Sequence, residues 1–246
     1  METSSRRPIY WLSFTSEFEC PYLEDLQARY QVRLPDRKLC GEELDDLLAR
    51  GYRRQGSVMY RTACAACRAC QPLRIPVQQF RPNRSQRRTW RRGQQAFRVQ
   101  ITQPQCDPEH VRLFDRHRLL RGLSPDSEPT SLGQYWEFLV DSCCETLEIQ
   151  YRLEGRLVAV ALADRGRQGM SAVYCYFDPD YARYSPGTFS ILTQLDLCRR
   201  WGIEYLYLGF YVAQNRHMAY KARFRPHQRL TPQGWQVVEE ASSSAS

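Results

Sequence analysis

Residues 147–177 constrain the fold of this chain more than any other stretch. Leu147–Leu153, Leu157–Ala163 and Met170–Phe177 are β-prone runs, and Gly155 and Gly169 mark short turns between them. This pattern predicts an antiparallel meander, ended by Pro179. The period then changes. Thr188 to Trp201 reads as an amphipathic helix opened by Ser185-Pro186-Gly187-Thr188, and Tyr205–Leu208 as a further strand. A meander that sends out a helix and takes in another strand belongs to an α/β (α+β) domain.

The first half has a different texture. Glu42 to Arg50 reads as a helix with Leu44, Leu47 and Leu48 on one face, and Gly51 stands where a C-terminal cap belongs. Residues 52–61 look like a strand or hairpin around Gly56, and Leu73–Val77 like a short edge strand because of Pro76. Asn83 to Phe97 has few breakers and reads as either a helix or a long basic arm. Pro104 and Pro108 mark a boundary near residue 105, followed by helices over 109–122 and 132–144. The expected organisation is therefore a cysteine- and arginine-rich domain over 1–104, a second domain over 105–240, and a disordered tail at 241–246. Apolar residues from Ile9 to Phe14 are expected to pack on the first domain.

Charge separates the two halves more sharply. Residues 47–106 hold 13 arginines and no Asp, Glu or Lys; the other 186 residues carry 22 Lys and Arg against 27 Asp and Glu. An acidic molecule with one segment of charge +13 has the footprint of a polyanion-binding protein, set against the plainer reading of a solvated basic surface. No apolar run reaches the length of a membrane span, and METSSRRPIY lacks the apolar stretch of a secretory signal. The expected compartment is the cytoplasm, without membrane association, where ten cysteines stay reduced.

Several residue groups could carry chemistry. Cys64, Cys67 and Cys70 form C-x2-C-x2-C, and Cys20 or Cys40 could supply a fourth thiolate to zinc or to an iron–sulfur cluster. The alternative is a loop of inert thiols. Cys143, Cys144, Cys175 and Cys198 lie in apolar segments and read as core, and His110 and His117 as core or surface. Arg84, Arg87, Arg88 and Arg91 could grip phosphates while Trp90 stacks on a base. Ser185, Gly187 and Thr188 open a helix whose free N–H groups favour an anion, unless they are simple caps. Lys221, Arg223 and Arg225 alternate, so on a strand they would share one face, which is either a solvated edge or a cation site for a carboxylate or phosphate. Walker, dinucleotide, zinc-protease and nucleophile-elbow motifs are absent.

The order of strands, helix and strand in the second half is that of an N-acetyltransferase-like (GNAT-like) domain. C-P-Y-L (20–23), G-Y-R-R-Q-G-S-V-M-Y-R (51–61), the cysteine motif running into R-I-P-V (64–77) and F-x-P-x-R-S-Q-R-R (80–88) form one set of blocks. Y-x-Y-x-D-P (174–179), S-P-G-T (185–188), L-G-F-Y (208–211) and M-A-Y-K-A-R-F-R-P (218–226) form another. In this order they resemble the arginyl-tRNA–protein transferase family, most closely its bacterial aspartate/glutamate leucyltransferase branch. Leu23 stands where the eukaryotic branch has a second cysteine, and His217 where the bacterial pattern has lysine.

The resemblance implies a GNAT-like catalytic half. It also implies transfer of leucine from leucyl-tRNA to proteins beginning with Asp or Glu, as an N-end rule degradation mark. It makes Tyr176, Asp178, Tyr211 and Lys221 the catalytic candidates, Lys221, Arg223 and Arg84 the cations for the acceptor carboxylate, and Arg84, Arg87, Arg88, Trp90, Arg91, Ser185, Gly187 and Thr188 the tRNA contacts. Cys20, Cys64, Cys67 and Cys70 remain the metal candidates, although aminolysis of an ester requires no cofactor. Two alternatives stand: an arginyl-transferring member of the family, and a non-catalytic RNA-binding module with a cysteine-bound metal.

Overall fold

The computed structural model describes residues 10–123 and 128–238. Ile9 and the tail expected at 241–246 lie outside the described residues. The strands are β1 Tyr10–Phe14, β2 Phe18–Glu19, β3 Gln27–Ala28, β4 Tyr30–Pro35, β5 Arg53–Gln55, β6 Val58–Thr62, β7 Gln71–Pro76, β8 Arg98–Thr102, β9 Thr146–Leu153, β10 Arg156–Arg165, β11 Gly169–Phe177, β12 Tyr205–Tyr211, β13 Gln228–Thr231 and β14 Gly234–Val237. The α-helices are α1 Gly41–Ala49, α2 Arg84–Ala96, α3 Pro108–Leu120, α4 Leu132–Tyr135, α5 Pro186–Arg200 and α6 Arg216–Ala219.

A large mixed sheet, ordered β14-β13-β7-β12-β11-β10-β9-β8, forms the centre, and a smaller sheet, β1-β4-β6-β5, packs beside it. The meander is present: β9, β10 and β11 are antiparallel neighbours. β10 shows why its sequence reads as a nearly unbroken apolar run. Val160 and Leu162 pack with the α3 side chains Val111 and Phe114, while Ala159 and Ala161 face Phe189 and Leu197 of α5. A strand covered on both faces has no polar side to alternate with.

Three expectations need correction. β7 is not an edge strand; it lies between β13 and β12. Only Leu73 and Arg74 of β7 pair with β13, so the missing N–H of Pro76 interrupts no ladder on that side. The helix expected to reach Cys144 ends at Val140, after a π turn over Trp136–Val140. The carbonyls of Asp141 and Cys143 instead accept from Arg54 and the Leu39 amide. Lys221, Arg223 and Arg225 do not alternate along a strand. Tyr220–Arg223 is a 3-10 turn continuing α6, whose start is capped by Asn215.

The basic stretch resolves as a helix. Asn83 and Gln86 form a reciprocal capping box at the start of α2. Gly93 lets α2 lie against α5, because a Cβ there would fall 2.3 Å from the Phe189 ring. β7, β8 and α2 all precede residue 105, so the large sheet and its helical layer draw on both sides of that point.

Candidate active site

The sheet opens at its middle. β11 and β12 run parallel but pair only over Gly169–Ser171 and Tyr205–Tyr207. Beyond that the strands separate into a fork. Ala172–Cys175 are half-exposed although β11 is an interior strand.

The outer end of β11 leads into the start of α5. Asp178 caps the 3-10 turn Pro179–Tyr184, accepting from the Asp180 amide at 3.1 Å, from Arg116 at 2.8 Å and from Arg156 at 2.8 Å. Ser185 follows at φ 52°, and its side chain makes no cap to α5. The amides at the start of a helix have no intrahelical acceptor, so those of Gly187 and Thr188 are available to a ligand. A Cβ on Gly187 would meet only Phe177, at 3.7 Å. The approach to this helix end is roomy, and the exposed Arg121 lies 5.3 Å from the Phe177 ring.

The inner end of the fork is occupied by Arg53 of β5. Its guanidinium donates to the Val173 carbonyl of β11 at 3.4 Å and lies 5.4 Å from the Phe210 ring of β12. Close by, the buried Lys221 donates to the Phe210 carbonyl at 2.6 Å. Burial, and then the Arg53 charge, holds the Lys221 ammonium well below the ordinary lysine range. The hydroxyls of Tyr22 and Tyr30 are pushed up, first by burial and then by neighbouring tyrosines.

Several expected site residues are engaged elsewhere. Tyr176 is fully buried against α3 and α4, with its hydroxyl 2.6 Å from that of Tyr135. Asp178 is fully buried and both its oxygens are occupied, so it positions the turn before α5 rather than facing a substrate. Tyr211, half-buried, lies under the Arg229 guanidinium at 3.8 Å. Lys221 faces inward while Arg223 and Arg84 are exposed, so these three cations do not present one face. Trp90 shares the inward face of α2 with Gln86 and Gly93 and packs against Phe189 at 5.4 Å, which turns it away from a stacking role.

Other expectations meet the geometry. Arg84, Arg87, Arg88, Arg91, Arg92 and Gln95 line an open groove of about 650 Å³ along the outer face of α2. Among the described residues none of these arginines is in an ion pair. Arg92 also donates to the Arg183 carbonyl, which links the groove to the turn before α5.

The Cys70 thiol is pushed up to about 12, first by burial and then by the charges of Cys20, Cys64 and Cys67. Among the described residues no three His, Cys, Asp or Glu side chains are placed to hold a metal ion. As placed, these thiols do not fit a closed ligand set. Arg53 was missed by sequence reasoning. Its partner Val173 is 120 residues away, and nothing in the local spacing signals that contact.

Residues 18–88 match the family model for the N terminus of arginine-tRNA-protein transferase, and residues 109–231 match the one for its C terminus. An aspartate/glutamate leucyltransferase of Chromobacterium violaceum is 38% identical over 226 residues, 92% of this chain and 93% of that protein. Another, of Hahella chejuensis, is 36% identical over 224 residues, 91% of this chain and 95% of that protein. The solved structure of FemX overlaps 81% of this chain and 79% of its own at 8% identity and a TM-score of 0.45, too distant a likeness to carry an argument.

Proposed function

The chain belongs to the arginine-tRNA-protein transferase family, and from that premise we propose that it moves leucine from leucyl-tRNA to the α-amino group of proteins whose first residue is Asp or Glu. The observation that carries this reading is the row of arginines without ion pairs on the outer face of α2, which Arg92 ties to the Arg183 carbonyl, in the turn that leads into the start of α5. A phosphate backbone laid on α2 would deliver its 3′ end to the mouth of the fork. In this reading the second half is GNAT-like, and α5 takes the place of the helix that meets the acyl carrier in acetyltransferases. Among the described residues no helix is long and apolar enough to cross a membrane. The cytoplasm, where charged tRNA is made, is the compartment this reading requires.

The reaction is aminolysis of an ester. The acceptor's neutral α-amino nitrogen attacks the leucyl carbonyl carbon and a C–N bond forms. The bond from that carbon to the ribose oxygen breaks, the nitrogen loses a proton, and the ribose hydroxyl leaves protonated. An α-amino group of pKa ~8 is already partly neutral near pH 7, so positioning and polarisation of the carbonyl supply most of what is needed. The fork holds both reactants between two strands, and no step runs through a metal.

Incubation with radiolabelled leucyl-tRNA and peptides differing only in their first residue tests this. Label is expected on Asp- and Glu-starting peptides and not on Arg- or Lys-starting ones. Equal labelling of a Lys-starting peptide, or transfer from arginyl-tRNA in preference to leucyl-tRNA, would refute the assignment.

A further inference from the structure

We infer that Arg53, at the closed end of the β11–β12 fork, is the residue that reads the acidic side chain of the acceptor; this rests on the transfer reaction proposed above. Arg53 leaves the smaller sheet on β5 and inserts its guanidinium into the larger one. It donates to the Val173 carbonyl on one side of the fork. On the other side, a Cβ at Gly209 would fall 3.0 Å from its Cζ. Gly209 sits at φ +72°, where the register of β12 against β7 shifts, a conformation glycine holds without strain. The absent side chain is the space the guanidinium fills.

The position is cationic and lacks a counter-ion. Among the described residues no carboxylate lies within ion-pair distance of Arg53 or Lys221. The buried carboxylate in the vicinity, Asp164, is held at both oxygens by Arg54 and also accepts from the Thr146 hydroxyl. A backbone carbonyl at 3.4 Å is a weak match for a guanidinium, which pairs best with the two oxygens of a carboxylate. Arg53 is half-buried rather than sealed in the core, and its guanidinium lies 5.9 Å from the Tyr60 ring and 5.4 Å from the Phe210 ring. A carboxylate docked here leaves the α-amino group further out between the strands, on the side where α5 begins and the ester arrives. The fork would thereby measure an Asp or Glu at the amino terminus by charge at one end and by nucleophile at the other.

The test compares Asp- and Asn-starting peptides, and Glu- and Gln-starting ones, as leucine acceptors for the full chain and for Arg53→Gln and Arg53→Lys. The intact chain is expected to prefer each acid over its amide. In Arg53→Gln that preference should fall at least tenfold in kcat/KM, mainly through a higher KM for the acidic peptide, with transfer to the amide peptide within about twofold. Arg53→Lys should keep part of the preference. An unchanged acid-to-amide ratio, with both peptides slowed alike, would mean that Arg53 acts on the ester carbonyl or on the fold, and would overturn the inference.

If Arg53→Gln fails to fold, the unmodified chain supplies the answer. An Asp-starting peptide, but not its Asn counterpart, should slow phenylglyoxal modification mapped to Arg53. Equal protection by both peptides, or by neither, overturns the inference. A chain that labels no peptide from leucyl-tRNA would instead refute the proposed reaction, and the protection experiment would still decide whether Arg53 takes the carboxylate.

Discussion

His110 shows how far a single residue's surroundings were legible. The sequence places it on α3 and marks it as core or surface, but the partners that decide its charge come from the fold. Its Nδ1 lies 2.9 Å from Asp107 and its Nε2 3.0 Å from Glu148, a fully buried carboxylate of β9. Burial pulls the imidazole pKa down, but the hydrogen bonds and charges of Glu148 and Asp107 outweigh it, and the net shift is upward from 6.5. The folded state therefore holds this proton more tightly than the unfolded chain does. The stabilisation is complete below about pH 6.5 and is lost as pH rises through the folded value. Unfolding free energy from urea titrations should decline as pH rises above about 6.5 in the natural chain, and His110→Gln should flatten that decline. A decline of equal size in both proteins would place the responsible group elsewhere.

Elements were easier to read than their neighbours. The meander, α1 and α5 follow from periodicity and turn residues because those signals are local. The choice between helix and arm for α2 was not local. Its inward face consists of Gln86, Trp90 and Gly93, a polar residue, an aromatic one and a glycine, which no hydrophobic pattern reveals. The fit of Gly93 to Phe189, the packing of Trp90 on the same ring, and the bond from Gln86 to the Arg223 carbonyl give that face something to bury against. At the start of α5 the structure sharpens an expectation. Gly187 has ordinary backbone angles, and its Cβ position meets only Phe177 at 3.7 Å, so a larger side chain can be carried without unfolding the helix. Gly187→Val should keep its melting temperature within a few degrees. It should nevertheless cut leucine transfer at least tenfold, about 1.4 kcal/mol of transition-state binding, because the branched side chain covers the amides offered to the tRNA end. Full activity in the folded variant would move the 3′-end site away from α5.

For the whole molecule, the segment of charge +13 turns out to serve two purposes. The arginines of α2 point outward, whereas Arg53 and Arg54 turn inward and join the smaller sheet to the larger. Composition registers the total and is blind to this division, because the inward partners lie more than a hundred residues away. Arg54 is the joint. Its side chain is completely buried, its Nε contacts both oxygens of Asp164 on β10 at 2.9–3.0 Å, and it also donates to the carbonyls of Gly56 and Asp141. Arg54→Met leaves Asp164 buried with only the Thr146 hydroxyl, and should destabilise the chain by about 3–5 kcal/mol. Burial already pushes the Asp164 pKa up, and losing the guanidinium pushes it further. The folded variant then binds a proton that the unfolded chain does not, so the damage should shrink as pH falls toward 5 and grow as it rises. Adding Asp164→Asn removes the stranded charge and should restore much of the loss. Transfer separates the two roles of this joint. If Arg54 merely holds the sheets together, the double variant regains activity with stability. If it also aims its neighbour Arg53 into the fork, the stabilised double variant stays folded yet loses preference for acidic acceptors.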